Sequence, residues 1–475
     1  MNPLSLSDEQ YRDVYQRISD MALDYLRSLN DLPSFPNITG DATQAQFSGP
    51  IPEQGMGLPA FDDLKTLIEG VRPGGPRFFG YVHGSGEPVA AAADLLASVL
   101  NQNVTSWRSS PSAATIEHKV VGWLAEMIGC KGFSGSLCGG GSSANLMGLA
   151  MARESRQPAN EAGVTKAGAI YASTEAHMSI AKAVALLGIG RDHLRLIPCD
   201  DQFRIRTDLL AHAVQQDAEA GVTPIAIIGS AGTVNTGSID PLLDLANIAR
   251  RYGAWFHVDG AYGALAAITK PELFRGLELA DSMSLDPHKW LYQPIDCSCI
   301  LYRDPNTARQ AFSHSGDYTK SYFDDPIENF MFFDESLELS RRFRALKLWL
   351  SLRYHGLANF REAIRNDLEC ASYFAARVDA EPELERLAPV PLSAVCFRYV
   401  PNNRPASERV DALNQKILPT VVRRGRVFFS NATIDGRFAL RICVVNHRAT
   451  RADLDEVVSE VLVVGRELAS SFSSS

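Results

Sequence analysis

Residues 224–260 read "PIAIIGSAGTVNTGSIDPLLDLANIARRYGAWFHVDG". The stretch opens and closes on an apolar run, "PIAIIGSAG" (224–232) and "AWFHVDG" (254–260), with a helical pattern between them. Strands this apolar are buried on both faces. Further short runs of the same kind are "AIYAS" (169–173), "HLRLIP" (193–198) and "SCILYR" (298–303), again spaced by helical periodicity. Buried strands alternating with helices imply an α/β fold built on a mostly parallel, doubly wound sheet. In open sheets of this type, sites form beyond the carboxyl ends of the strands.

Outward from that sheet the organisation changes twice. Ser7 to Leu29 reads as an amphipathic helix, with Tyr11, Val14, Ile18, Met21 and Tyr25 at three- and four-residue steps and a capping box from Ser7 to Gln10. Proline-rich sequence follows, so residues 1–85 read as an N-terminal helical arm. The large α/β segment spans 86–355. After the helical stretch "ELSRRFRALKLWLSLRYHG" (338–356), a smaller C-terminal α+β domain occupies 356–475 and holds the strand-like "RFALRICVV" and the helical "ADLDEVVSEVLVVGREL".

Composition narrows the function classes. The 475 residues are 45% hydrophobic and 21% charged, with a net charge of -9, so a general nucleic-acid binder with a basic face is not expected. No run reaches the roughly 18 apolar residues of a membrane span, and the polar N-terminus does not read as a secretory signal. The eight cysteines show neither disulfide-framework nor zinc-site spacing, which fits reduced thiols in the cytoplasm. No metal site is expected.

Three strand ends carry unusual chemistry. Lys289 stands in "SLDPHKWLYQP" (284–294), after a short strand and an Asp-Pro break. A lone lysine is ordinarily a surface charge, but an amine desolvated beside an aldehyde is a nucleophile for a Schiff base. Asp259 ends the run "AWFHVDG"; a carboxylate there is either a turn residue or the partner of a pyridine nitrogen. "CGGGSSANLMGLAMARE" (138–154) places three glycines and two serines at the opening of a helix, where backbone N–H groups bind phosphate. It fits the dinucleotide pattern only loosely and lacks the Gly-Lys-Ser/Thr of a Walker loop. Phosphate cradle, ring-nitrogen acid and Schiff-base lysine together describe one cofactor, pyridoxal 5'-phosphate.

The sequence resembles the group II pyridoxal-phosphate-dependent amino-acid decarboxylases, the family of the aromatic-L-amino-acid, histidine and glutamate enzymes. The resemblance rests on "PRFFGY" (76–81), "HVDGAYG" (257–263), "DPHKWL" (286–291), "SRRFRALKLW" (340–349) and "LRICVVNHR" (440–448), and runs from about residue 50 to the C-terminus. It implies the aspartate-aminotransferase-like type I fold. It also implies a homodimer with active sites at the interface and the arm wrapping the partner. By the same resemblance His177 stacks on the cofactor ring and Ala261 packs on the opposite face. Gly141, Ser142 and His288 hold the phosphate, and Thr233 touches the Asp259 carboxylate. Tyr318, or the nearby Tyr322, is the loop tyrosine that protonates Cα, with His177 as a possible partner. The catalytic set is then Lys289, Asp259, His177 and Tyr318.

The expected reaction is decarboxylation of an L-amino acid to its amine, aromatic substrates leading. Decarboxylation of glutamate, aspartate or 2,4-diaminobutyrate and aldehyde formation are the alternatives. Val82, His83 and Thr105 stand where aromatic-acid members favour an aromatic residue, a proline and a phenylalanine. Asp286 replaces an asparagine that helps bind phosphate in some relatives, and a carboxylate there repels phosphate, so it receives no cofactor role. Arg77 and Arg108 lie near the right segments for an acidic substrate, without a clear assignment.

Overall fold

Seven strands form the central sheet of the computed structural model, which describes residues 2, 4–314 and 325–472. They are β1 (Ser134–Cys138), β2 (Gly168–Ser173), β3 (Leu194–Ile197), β4 (Thr223–Ser230), β5 (Trp255–Asp259), β6 (Ser282–Leu285) and β7 (Ser298–Tyr302). Their order is β1-β7-β6-β5-β4-β2-β3. The pairs from β6 through β5, β4 and β2 to β3 are parallel, and β7 runs antiparallel to both its neighbours. Parallel neighbours need crossovers, and helices supply them on both faces. The two faces are visible within one strand: Ile227 packs into one apolar cluster and its neighbour Ile228 into another on the opposite side. The two-sided burial expected of "PIAIIGSAG" is therefore present.

This topology turns the carboxyl ends of β1, β4, β5 and β6 to one edge. The glycine loop follows β1, Asp259 ends β5, and Lys289 comes four residues after β6. Pro287 does more than end the strand. It occupies the first turn of a short helix, Pro287–Trp290, that carries the lysine; a proline there loses no helical hydrogen bond.

The second sheet is antiparallel and C-terminal, with β8 (Leu384–Arg386), β9 (Ala394–Tyr399), β10 (Ser430–Ile434) and β11 (Arg437–Cys443) in the order β10-β11-β9-β8. The helix Ala345–Ala380 leads into it and is interrupted at Gly356 (φ 76°, ψ 151°). Phe79, from "PRFFGY", belongs to the core of this second sheet. Its N–H donates to Phe428 O at 2.8 Å and its carbonyl accepts from Cys443 N at 2.9 Å. The N-terminal helix runs Asp8–Ser28 with both arms of the Ser7–Gln10 capping box formed, and none of its residues is buried.

One helical expectation fails in part. Residues 338–344 are not helical; the helix begins only at Ala345. The reason lies in two arginines. Arg341 is buried, pairs with Glu117 and donates to the carbonyls of Val104 and Leu137. Arg344 is held by Glu338 and Asp296. Buried charges must be paired, and these partners hold the chain out of the helix that its periodicity favours. Among the described residues, no helix is long and apolar enough to cross a membrane.

Candidate active site

A cavity of about 340 Å³ opens at the carboxyl edge of the sheet. The glycine loop, His177, Thr233, Asp259, Ala261 and Lys289 line it, so residues from five separated segments meet there. His288 and Asp286 complete the wall beside the lysine.

Lys289 is turned inward by its helical turn. Its Nζ lies 2.9 Å from Asp286 Oδ2. Ser298 Oγ donates to Asp286 Oδ1 at 2.5 Å, and His288 Nε2 lies 3.6 Å from Asp286 Oδ2. The Cys297 carbonyl, 2.8 Å from His288 Nδ1, can only accept, so that nitrogen carries a hydrogen. Burial lowers His288 below its usual value, against the opposite pull of Asp286. Asp286 is therefore part of the lysine's surroundings, and the sequence reading that left it without a role is incomplete. A strand end followed by Pro in the same quoted stretch was signal enough to place it near the lysine.

Asp259 is buried and accepts three hydrogen bonds. Asn145 Nδ2 reaches Oδ2 at 2.9 Å, while Ser284 Oγ and Ala261 N reach Oδ1 at 3.1 and 3.2 Å. Thr233 does not touch this carboxylate as the resemblance implies. Its hydroxyl is 3.0 Å from Thr236 Oγ1 and accepts from Ser238 N at 3.2 Å, which closes the turn after β4. Thr233 still lines the cavity. Asn145 and Ser284 take the contact expected of it. Both stand in quoted motifs, one in the second turn of the glycine-loop helix and one near the end of β6, but side-chain direction there depends on the packing of helix on sheet.

His177 is both cap and wall. Its Nδ1 accepts from Ser179 N at 3.2 Å at the start of the helix Met178–Leu186, and the ring lines the cavity. Burial lowers its affinity for a proton, outweighing the opposite pull of Asp259. Tyr318 and Tyr322 lie outside the described residues. Among the described residues, no cluster of His, Cys, Asp and Glu is placed to hold a metal ion.

The residues present fit pyridoxal phosphate. The helix Gly141–Arg156 opens on Gly140 and Gly141, and Gly139 to Ser143 line the cavity, so a helix N-terminus, which attracts anions, borders it. A Cβ at Gly141 would meet Asp286 Oδ2 at 2.8 Å and Ala261 Cβ at 3.0 Å, so the loop lies too close to its neighbours for any side chain. Across the cavity Asp259 is positioned to receive a pyridine N–H, and Lys289 supplies the amine.

An amine, a ring-nitrogen carboxylate and a phosphate-binding helix terminus at the carboxyl edge of this sheet define a pyridoxal-phosphate enzyme of the type I fold. Residues 58–400 match the pyridoxal-dependent decarboxylase conserved domain, and the chain belongs to that family as a pyridoxal-phosphate-dependent amino-acid decarboxylase. It is 30% identical over 475 residues to the aromatic-L-amino-acid decarboxylase of Bacillus atrophaeus, covering 99% of this chain and 98% of that one. It is 33% identical over 461 residues to tryptophan decarboxylase TDC1 of Camptotheca acuminata, covering 93% and 91%. The crystal structure of Oryza sativa TDC with PLP and tryptamine superposes with a TM-score of 0.91 at 27% identity, covering 98% of this chain and 99% of that one.

Proposed function

We propose that this enzyme decarboxylates an aromatic L-amino acid, such as tryptophan, tyrosine, phenylalanine or DOPA, to the amine and carbon dioxide. The observation that carries the reaction is the meeting of Lys289, Asp259, His177 and the glycine loop on one cavity. The substrate class rests on the relatives named above.

When bound, pyridoxal phosphate supplies an aldehyde for covalent capture of the amino group and a ring that accepts the electron pair of the breaking Cα–carboxylate bond. Lys289 would hold the cofactor through its amine. Asp259, fixed by three donors, keeps the ring nitrogen protonated. His177 and Ala261 would border the ring, and Gly141, Ser142 and His288 its phosphate, while Thr233 lines the same cavity. Holding the scissile bond perpendicular to the ring is the task of these walls, because orientation decides which bond at Cα breaks. Tyr318, on sequence grounds alone, supplies the proton that replaces the carboxylate at Cα, with His177 as its partner.

A homodimer completes the site in this reading. Leu95, Leu96, Val99 and Leu100 stand exposed on the helix Pro88–Leu100, as do Tyr11, Tyr15 and Leu23 on the arm. A second copy covering these residues explains an apolar surface that water would otherwise meet. All eight cysteines are free, which supports a reducing, cytoplasmic setting.

The test is a panel of twenty amino acids with DOPA and 2,4-diaminobutyrate, following carbon dioxide, amine, aldehyde and peroxide together. Aromatic acids giving equal amounts of carbon dioxide and amine support the proposal. Preference for an acidic or diamino acid overturns the substrate assignment, and aldehyde with peroxide overturns simple decarboxylation.

A further inference from the structure

Asn145 is 1% exposed and sits where three polar groups converge. Its Nδ2 donates to Asp259 Oδ2 and to Ser179 Oγ, each at 2.9 Å. Its Oδ1 lies 3.0 Å from His257 Nε2. The far side of His257 continues the chain: Nδ1 is 2.8 Å from Ser282 Oγ, which accepts from Trp255 Nε1 at 2.8 Å. The near side leads from Ser179 Oγ to His177 Nδ1 at 2.8 Å.

The chemistry of the ends orients every member. A carboxylate only accepts, so the amide nitrogen of Asn145 faces Asp259 and its oxygen faces His257. The reverse orientation would set two acceptors against each other at 2.9 Å. His257 Nε2 therefore carries a hydrogen. Burial depresses the His257 ring to about 4, so it is neutral, and its bare Nδ1 takes the Ser282 hydroxyl hydrogen. Trp255 can only donate, which fixes Ser282 as acceptor from it. At the other end, Ser179 Oγ receives an amide hydrogen of Asn145 and passes its own to His177 Nδ1. The Ser179 backbone N–H points at the same nitrogen from 3.2 Å. With two donors on Nδ1, a neutral His177 holds its hydrogen on Nε2.

Local packing makes this reach available. Three residues after Asn145, on the same helix face, a Cβ at Gly148 would fall 2.4 Å from His257 Cε1 and 2.5 Å from its Nδ1. Glycine there lets the helix lie directly on the histidine that Asn145 engages.

We infer that Asn145 is a positioning residue that fixes the Asp259 carboxylate and, through Ser179, holds His177 as the tautomer with hydrogen on Nε2. Two of the groups assigned to the cofactor ring are thereby set by one side chain. The functional consequence rests on the proposed roles of Asp259 and His177; the tautomer does not. A neutral Nε2–H gives the reacting centre a hydrogen-bond donor without placing a second cation beside Lys289.

The experiment is long-range 1H–15N correlation of ring-labelled histidine in the full-length protein at pH 7, with the His177 signals identified by their loss in His177→Gln. The expected wild-type spectrum shows Nδ1 bare and Nε2 protonated. Asn145→Asp turns the amide donor into an acceptor that competes for the Ser179 hydroxyl hydrogen, and Ser179→Ala removes that hydroxyl with little change in volume. Each is expected to move His177 toward a mixture of tautomers and to lower kcat by about 10–100-fold, the usual cost of losing an orienting outer-shell partner. Asn145→Gln, which keeps the amide, is expected to recover part of the wild-type signal. A wild-type His177 with hydrogen on Nδ1 overturns the inference, as does an unchanged tautomer in folded Ser179→Ala. Because the spectrum reads the ring itself, an error in the assigned substrate leaves this result intact.

Discussion

Lys289 Nζ lies 2.9 Å from Asp286 Oδ2, and Ser298 Oγ holds the other carboxylate oxygen at 2.5 Å. Asp286 is buried and Lys289 partly exposed, and the carboxylate sits against the glycine loop, where alone it would repel phosphate and lose its hydration uncompensated. Burial pushes the Asp286 carboxyl up, and the charges of Lys289 and His288 with the Ser298 hydroxyl bring it below the ordinary carboxylate value. The amine that reacts is thus also the counter-ion that makes its neighbour tolerable.

Removing the amine should expose that cost in protein stripped of cofactor. In the wild type the folded Asp286 titrates below the unfolded value of 3.8, so its stabilising contribution is present above about pH 4 and is lost as pH falls further. In Lys289→Met burial dominates, the folded carboxyl rises above the unfolded one, and stability is lost as pH rises. The variant is expected to be about 3–5 kcal/mol less stable than wild type at pH 7, with the gap narrowing toward pH 4.5. Adding Asp286→Asn should recover most of it. Thermal melts at the two pH values check this, and a deficit that ignores pH rules it out.

Asp259 is held by Asn145, Ser284 and its own turn, so a change of charge there should leave the walls standing. Asp259→Asn is expected to lower kcat by about 10²–10³-fold, the scale of one well-placed electrostatic group at a reacting centre. Single-turnover release of carbon dioxide measures this step directly. A loss smaller than tenfold would remove Asp259 from its assigned role.

The sheet was legible because its strands carry their burial in their composition: the runs ending at Ser230 and Asp259 are apolar on both faces, as parallel strands under two helical layers are, while the equally buried β7 runs antiparallel, a direction that composition does not carry. Lys289, Asp259 and the glycine loop were legible because each breaks a local pattern at a strand end. Asn145 and Ser284 break none. An asparagine in a helix and a serine on a short strand look ordinary until the helix is laid on the sheet, and the donors of Asp259 are defined only by that contact. Thr233 shows the converse, since the resemblance implied a contact with Asp259 while Thr236 and Ser238 take up its hydroxyl instead. Residues 338–344 failed as helix because Arg341 satisfies Glu117 from across the fold, a tertiary demand that periodicity does not carry.

Tyr318→Phe tests the proton donor named from sequence. Carbon dioxide release is expected to persist within about tenfold, because general acid catalysis of a later step contributes about 10²–10⁴ only to that step. Amine should fall well behind carbon dioxide, with aldehyde, ammonia and peroxide appearing in its place as dissolved dioxygen takes up the two electrons that protonation no longer captures. Tyr322→Phe in parallel separates the two tyrosines. Amine yield unchanged in Tyr318→Phe transfers the role elsewhere.

Asp367 gives a stability prediction independent of the cofactor. It is fully buried in the helix Ala345–Ala380. Its Oδ2 accepts from Tyr292 Oη at 2.8 Å and from Asn446 N at 3.0 Å, and Oδ1 has no hydrogen-bond partner among the described residues. It therefore joins the segment just past Lys289 to the strand end after β11. Burial raises this carboxyl to about 8 despite the two donors. The folded protein then binds one more proton than the unfolded chain between about pH 4 and pH 8, and stability falls with rising pH across that window by about 1.4 kcal/mol per unit from this group alone. Asp367→Asn keeps an oxygen for Tyr292 and Asn446 and cannot ionise. It is expected to match wild type near pH 5 and to exceed it increasingly up to pH 8. Chemical denaturation of both proteins across that range provides the comparison, and parallel curves would mean that Asp367 is ionised in the folded enzyme.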